Sequence, residues 1–207
     1  MANTIRLHAG DISAEDAARY KCAIAIDTET LGLIPRRDRL CVVQLSPGDG
    51  TADVIQIARG QREAPNLVAM LEDPARQKIF HFGRFDIAVL FHTFGVTTTP
   101  VFCTKIASRL TRTYTDRHGL KDNLKELLEV DISKQQQSSD WAAETLTPAQ
   151  LEYAASDVLH LACAARQADG TADPRWPDGS CRRLLRLPAD ARQARPSRLG
   201  RDRHFRA

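Results

Sequence analysis

The chain has 207 residues, of which 43% are hydrophobic and 27% charged. This suits one soluble α/β domain and leaves little room for a second. No apolar run approaches the ~18–20 residues of a membrane-spanning helix, and Met1 to Gly10 lacks the apolar core of a secretion signal, so the expected compartment is the cytoplasm. Five cysteines (22, 41, 103, 163 and 181), odd in number and without a CxxC pair, argue against a disulfide framework or a cysteine zinc site. The net charge of +3 divides unevenly: residues 164–207 carry 11 Arg, 5 Asp and neither Lys nor Glu, net +6, which leaves −3 on residues 1–163. Bulk positive charge therefore does not draw the front domain to nucleic acid, and any such contact is a local site.

Along the chain, residues 22–26 form a continuous apolar run ending in Asp27, the pattern of a buried central strand. Residues 41–45 and 52–57 read as two more strands, and Pro47-Gly48-Asp49-Gly50 between them predicts a hairpin. A helix is expected over 65–72, stopping before Pro74, then a fourth strand from Lys78 to Phe82. Phe85, Ala88, Val89 and Phe94 set a helical stripe over 85–94, closed by Gly95. Val101 to Cys103 is a short fifth strand, followed by helices near 104–111 and 119–129. Pro148 opens a last helix as its first-turn proline, running to about Cys163. The order predicts an α/β fold with a mixed sheet flanked by helices.

Three places hold candidate chemistry. In Asp27-Thr28-Glu29 the strand period of two puts both carboxylates on one face beside the core. Such a pair is costly to bury without a cation, although a solvated strand end would look the same. Asp86 follows His81-Phe82-Gly83-Arg84-Phe85 at a strand-to-helix junction, where a helix N-cap is the competing reading. Tyr153 and Asp157 lie four apart on a helix and share a face, as an ordinary surface pair also would.

Taken together, Asp-x-Glu on a first strand, His-x-x-x-Phe-Asp after a later one and Tyr-x-x-x-Asp on a late helix resemble the DEDD 3′–5′ exonucleases. The tyrosine branch, which includes ribonuclease D, is indicated because Glu152 stands where the histidine branch would place its histidine. Lys134-Gln-Gln-Gln-Ser-Ser-Asp140-Trp141 followed by Leu151-Glu-Tyr-Ala-Ala-Ser-Asp157 is similar to ribonuclease D in particular, and the short length resembles the nuclease-only nano-RNase C type. The resemblance spans residues 5–162 or so. It implies a ribonuclease H-like mixed β-sheet with flanking α-helices, and 3′–5′ exoribonuclease action on short RNA, dinucleotides included, giving nucleoside 5′-monophosphates. It also implies activity on DNA 3′ ends and assembly of copies into a ring.

The expected cofactors are two divalent cations, Mg²⁺ or Mn²⁺, about 3.5–4 Å apart, able to activate a water and stabilise the departing 3′ oxygen. Hard cations take oxygen ligands, and Asp27, Glu29, Asp86 and Asp157 are the expected set. Tyr153 would orient or deprotonate the water; its ordinary pKa of about 10 calls for metal assistance. The resemblance implies a wedge against the terminal base at Leu33 and a polar substrate contact at His81, with a core leucine and a structural histidine as the competing readings. Lys134 and Gln137 would meet substrate, and Trp141 would stack on a base or anchor the loop. Arg112, Tyr114, Arg117 and His118 read as a basic loop for a phosphate or a neighbouring subunit, with a solvated loop as the competing reading. A 3′–5′ DNA exonuclease is the nearest alternative, and a non-catalytic nucleic-acid-binding module is the alternative of another class.

The expected division is an exonuclease domain over 1–163 and an Arg/Pro/Ala-rich tail over 164–207. The tail has only five residues of the Ile, Leu, Val, Met and Phe types and four prolines, a composition for poor order. It reads either as a basic tail that helps hold nucleic acid or as the product of a frameshift near Leu161–Cys163, since a one-base shift over Arg186–Ala207 can restore family-like text.

Overall fold

The computed structural model describes residues 3–169. Its elements are β1 (Thr4–Ala9), α1 (Ala14–Ala17), β2 (Ala23–Thr30), β3 (Leu40–Ser46), β4 (Thr51–Gln56), α2 (Pro65–Glu72), β5 (Gln77–Phe80), α3 (Arg84–Phe94), β6 (Val101–Cys103), α4 (Thr104–Thr111), α5 (Leu120–Leu128), α6 (Pro148–Leu159) and α7 (Leu161–Asp169). The strands form one mixed sheet in the order β1-β4-β3-β2-β5-β6. β2, β3 and β4 run antiparallel to their neighbours among themselves, while β5 and β6 join β2 in parallel. The expected hairpin joins β3 to β4, with Gly48 and Gly50 both at positive φ and the Ser46 hydroxyl donating to the Thr51 carbonyl at 2.7 Å.

The sheet separates two cores. Even-numbered β2 residues, Ile24 and Ile26, pack with Leu67, Met70, Val89 and Leu90 of α2 and α3. Odd-numbered Ala23 and Ala25 pack with Ala155 and Val158 of α6 and with Leu161 and Ala162 of α7. Alternation along a strand that is covered on both faces thus explains why β2 reads as one apolar run.

Four expectations need correction. β1 and α1 have no counterpart among the expected elements: β1 is polar on one side and pairs in parallel with β4, so it lacks the apolar run of a central strand. A buried cluster holds it, in which the Asp53 carboxylate takes the Tyr20 hydroxyl at 2.6 Å, the His8 ring at 2.9 Å and the Arg19 guanidinium. The first predicted strand extends through Thr30, so the Asp-x-Glu pair lies within the ladder. The strand predicted over 78–82 ends at Phe80, because Phe82 turns to φ 67. The helix predicted from Pro148 to Cys163 is two helices, divided at His160, and the second runs through Asp169. Expectations for the remainder of the Arg-rich segment lie outside the described residues.

Candidate active site

β2 carries the first two acids past the end of its apolar run. Asp27 pairs with Gln44 and Glu29 with Val42 of β3, so both project towards α6. α6 delivers Tyr153 and Asp157 to the same place. Carboxylate oxygens of Asp27, Glu29 and Asp157 all lie within 4.8 Å of one another. Asp86 comes from α3, on the other side of the sheet. Thr28, between the two β2 acids, bridges the layers by donating from its hydroxyl to Asp86 Oδ1 at 2.6 Å. Asp86 stands in the first turn of α3, while Gly83 holds the N-cap position, so the N-cap reading of Asp86 fails.

The start of α6 is set locally. Thr147 and Gln150 form a reciprocal capping box, Pro148 occupies the first turn, and the Gln150 side chain donates to the Asp140 carbonyl at 3.0 Å. These bonds fix the 129–147 loop to the helix that carries Tyr153. Trp141 is only 2% exposed and packs with Cys41, Val54, Leu146 and Ala154. Its ring centroid is 5.8 Å from that of Tyr153. Of the two readings for Trp141, the anchor is the one its burial fits: the ring seats Tyr153 and has no open face for a base.

The turn from β5 to α3 carries His81. The Thr104 hydroxyl donates to the Phe80 carbonyl at 3.1 Å, so its oxygen accepts from His81 Nδ1 at 2.9 Å. Burial, aided by the Lys105 charge, draws His81 down to about 4, leaving it neutral near pH 7. Gly83 permits this turn, since a Cβ there would sit 2.4 Å from Phe80 Cβ and Cγ. Gly83→Ala is therefore expected to cost about 1–3 kcal/mol through overpacking and to lower turnover by shifting Asp86. Thermal melting and initial rates check this; an alanine variant as stable and active as the parent would show that the turn can move freely.

The cleft has a volume of about 700 Å³ and is lined by Asp27, Glu29, Asp86, Tyr153 and Asp157 together with Leu33, His81, Lys134, Gln137 and Trp141. Its floor is acidic; Lys105 and Lys134 stand in its wall, and among the described residues neither forms an ion pair with the four acids. Burial foremost, then repulsion from the other carboxylates, raises Asp27 well above the usual carboxylate range and Glu29 to about 8. Burial raises Asp157 to about 7 and lifts Asp86 as well, even though hydrogen bonds from Tyr153 and Thr28 pull the other way. The Tyr153 phenol is pushed up by burial and by the charges of Asp157, Glu29 and Asp27. Leu33, 83% exposed, stands at the rim, so the core-leucine reading fails. Carboxylates so arranged could hold divalent cations, whose charge would relieve the repulsion.

One sequence reading is corrected in part. Arg112 is buried, and its guanidinium bonds Glu126, the Ser108 hydroxyl and the Arg117 carbonyl. His118 is likewise buried against Ser108, at 2.9 Å. This part of the loop is spent on joining α4 to α5, which argues against a phosphate role for Arg112, while Tyr114 and Arg117 stay exposed. Residues that the sequence did not single out are Thr28, Thr104, Phe82 and Lys105. The first two act across 58 and 23 residues of chain, beyond any local pattern; the last two line the cleft.

Residues 11–163 match the model of a 3′–5′ exonuclease domain family. Ribonuclease D of Gluconacetobacter diazotrophicus is 35% identical over 138 residues, which cover 67% of this chain and 35% of that protein. The chain thus spans about a third of the length of the curated relatives it matches. Among solved structures, the apo form of a nuclease is 76% identical with a TM-score of 0.80, covering 92% of this chain and 93% of that one. NrnC of Brucella melitensis with bound Mg²⁺ is 61% identical with a TM-score of 0.76, over 86% of this chain and 87% of that one. The same protein bound to pGG is 62% identical with a TM-score of 0.75, over 88% and 87%. The mixed sheet with its flanking helices is the ribonuclease H-like fold of these exonuclease domains. By the extent of the domain match and by its likeness along nearly the whole of NrnC, the chain belongs to the 3′–5′ exonuclease family, in its ribonuclease D-like branch close to NrnC.

Proposed function

We propose that this protein is a metal-dependent 3′–5′ exoribonuclease that cuts short RNA, dinucleotides included, into nucleoside 5′-monophosphates in the cytoplasm. The nuclease domain takes in residues 1–163 and continues into the rest of α7, where Ala164 and Ala165 are buried in its core. The observation that carries the reading is the convergence of four carboxylates and Tyr153 in one cleft, with no cation of the chain paired to the acids among the described residues. The Mg²⁺ and the pGG bound by NrnC support the cofactor and the substrate class.

Asp27, Glu29 and Asp157 would hold one side of a two-cation site, with Asp86 completing the set from α3. When bound, the cations would lower the pKa of a water and stabilise the leaving oxygen. Tyr153, whose pKa burial and the acids raise in the absence of metal, would orient the water or, once cations offset those charges, take its proton. Leu33 would wedge against the terminal base, while His81, Lys134 and Gln137 would contact the nucleotide.

The test is a substrate panel with Mg²⁺ or Mn²⁺: a dinucleotide RNA, a longer RNA and duplex DNA, with products resolved by chromatography. The expected result is 5′-monophosphates released fastest from the dinucleotide. Faster release from duplex DNA would make the enzyme a DNA exonuclease. Tight binding with no hydrolysis under either metal would make it a binding module.

A further inference from the structure

Gln44 interrupts the apolar run of β3. It is the one amide in Leu-Cys-Val-Val-Gln-Leu over 40–45, and it is wholly buried. Neither its amide nitrogen nor its amide oxygen has a hydrogen-bond partner among the described residues. A buried amide left unpaired is costly, and buried polar groups in native proteins are nearly always bonded. An aliphatic side chain would fill the same place without that cost. The amide therefore calls for a reason beyond packing.

The register of the sheet says what the amide faces. Gln44 pairs with Asp27 of β2 and with Val54 of β4, so the three side chains stand on one face, the face that α6 covers. Opposed side chains of an antiparallel pair have Cβ atoms about 4.5–5.5 Å apart, within reach of an amide and a carboxylate. The other polar neighbours on this face are taken. Ser46 donates to the Thr51 carbonyl at 2.7 Å and accepts from the Gly48 amide at 3.1 Å. Gln56 donates to the Ala143 and Glu144 carbonyls. From α6 come Ala154 and Ala155, which have no polar side-chain atom to offer. Asp27 stands directly opposite, with Glu29 diagonal to it. Gln44 is not among the residues that line the cleft, so it meets Asp27 from behind.

We infer that Gln44 is a positioning residue: its amide donates to the Asp27 carboxylate and fixes how that side chain presents its oxygens to a divalent cation. The inference rests on the metal-dependent exonuclease reading above and deepens it. A carboxylate that ligates a cation keeps lone pairs to spare, and hydrogen bonds to them from outside the ligand set orient the ligand. An amide suits this place because it is neutral. A lysine there would compete with the cation, and a further carboxylate would add to the repulsion among the acids. Thr28 serves Asp86 in the same way, donating its hydroxyl at 2.6 Å from within the sheet. Each of these two acids is thus given a neutral donor by the strands beneath it.

The experiment compares the parent with Gln44→Met, which keeps the length of the side chain and loses the amide, and with Val54→Ala, which loosens the packing on the other side of Gln44 and removes no hydrogen bond. Mg²⁺ affinity is measured by calorimetry without substrate, and melting temperature in chelator. Gln44→Met should bind Mg²⁺ about tenfold more weakly yet melt no lower than the parent, since an unpaired amide is gone. Val54→Ala should melt lower and bind Mg²⁺ as the parent does. In turnover, Gln44→Met should need about tenfold more Mg²⁺ for half its full rate, with KM for a dinucleotide at saturating Mg²⁺ unchanged. In the isotope-labelled parent, added Mg²⁺ should shift the NMR signals of the Gln44 side-chain amide, a readout that needs no variant. If Gln44→Met binds Mg²⁺ more weakly but the parent hydrolyses nothing, the exonuclease reading falls and the role of Gln44 stands. If the parent turns over normally while Gln44→Met binds Mg²⁺ as tightly, Val54→Ala weakens it equally, or the amide signals ignore Mg²⁺, the role of Gln44 falls and the exonuclease reading stands.

Discussion

Exchanging Asp27 or Asp157 for Asn is expected to abolish turnover, yet to leave the protein in chelator at least as stable as the parent near pH 8. The amide has the shape of the carboxylate but neither its charge nor its affinity for a hard cation. The stability part follows from the raised pKa values. Glu29 moves from 4.5 to about 8 and Asp157 from 3.8 to about 7 in the folded chain. A folded pKa above the unfolded one means that the native state holds more protons between the two values, so stability falls as pH rises through that window. The contribution is complete below about pH 4 and is lost by about pH 8, once the acids ionise against one another. Each Asn variant removes one of the repelling charges. The gap in melting temperature, variant minus parent, should therefore widen from pH 5 to pH 8 in chelator. Added Mg²⁺ should then raise the parent at pH 8 far more than either variant, because a cation that binds only the native state stabilises it. Normal turnover in either variant would remove the carboxylate-metal reading, and a gap that narrows with pH would remove the repulsion argument.

Much of this site is legible in the sequence because each part has a local signature. Five apolar residues running into Asp-x-Glu mark a buried strand that carries two acids on one face. Pro148 marks the start of the helix on which Tyr153 and Asp157 share a face. What escaped were the parts that depend on distant partners. β1 exists because Asp53, at the far end of a hairpin, gathers His8, Arg19 and Tyr20. The Thr28–Asp86 bond links the two layers of the fold, and nothing near either residue announces it. Arg112 looks like a ligand for phosphate until Glu126 and the Arg117 carbonyl are seen to occupy it. Phe82 looks like one more strand residue, and nothing in the local sequence announces the positive φ at which the strand has already ended.

Tyr153→Phe is expected to lower the chemical step by about 10²-fold or more, with little change in dinucleotide binding. The substitution keeps the ring, and the ring is what the core holds: Trp141 lies 5.8 Å away by centroid, and Cys41, Val54, Leu146 and Ala154 surround the pair. Only the hydroxyl is lost. That group faces Asp157, with the charges of Glu29 and Asp27 close behind, and together with burial they push its pKa up. Without metal and near neutral pH it is a phenol, able to accept from a water with its oxygen and to donate its proton. If it orients the water in that same form, the rate loss is a uniform drop across pH 6–9, with no limb of the parent's profile vanishing in the variant. A tyrosine acting as the base would instead contribute an ascending limb that the phenylalanine variant lacks. Single-turnover rates against pH, paired with dissociation constants measured in Ca²⁺, separate the two roles. A variant within a few-fold of the parent at every pH would show that Tyr153 serves the core alone.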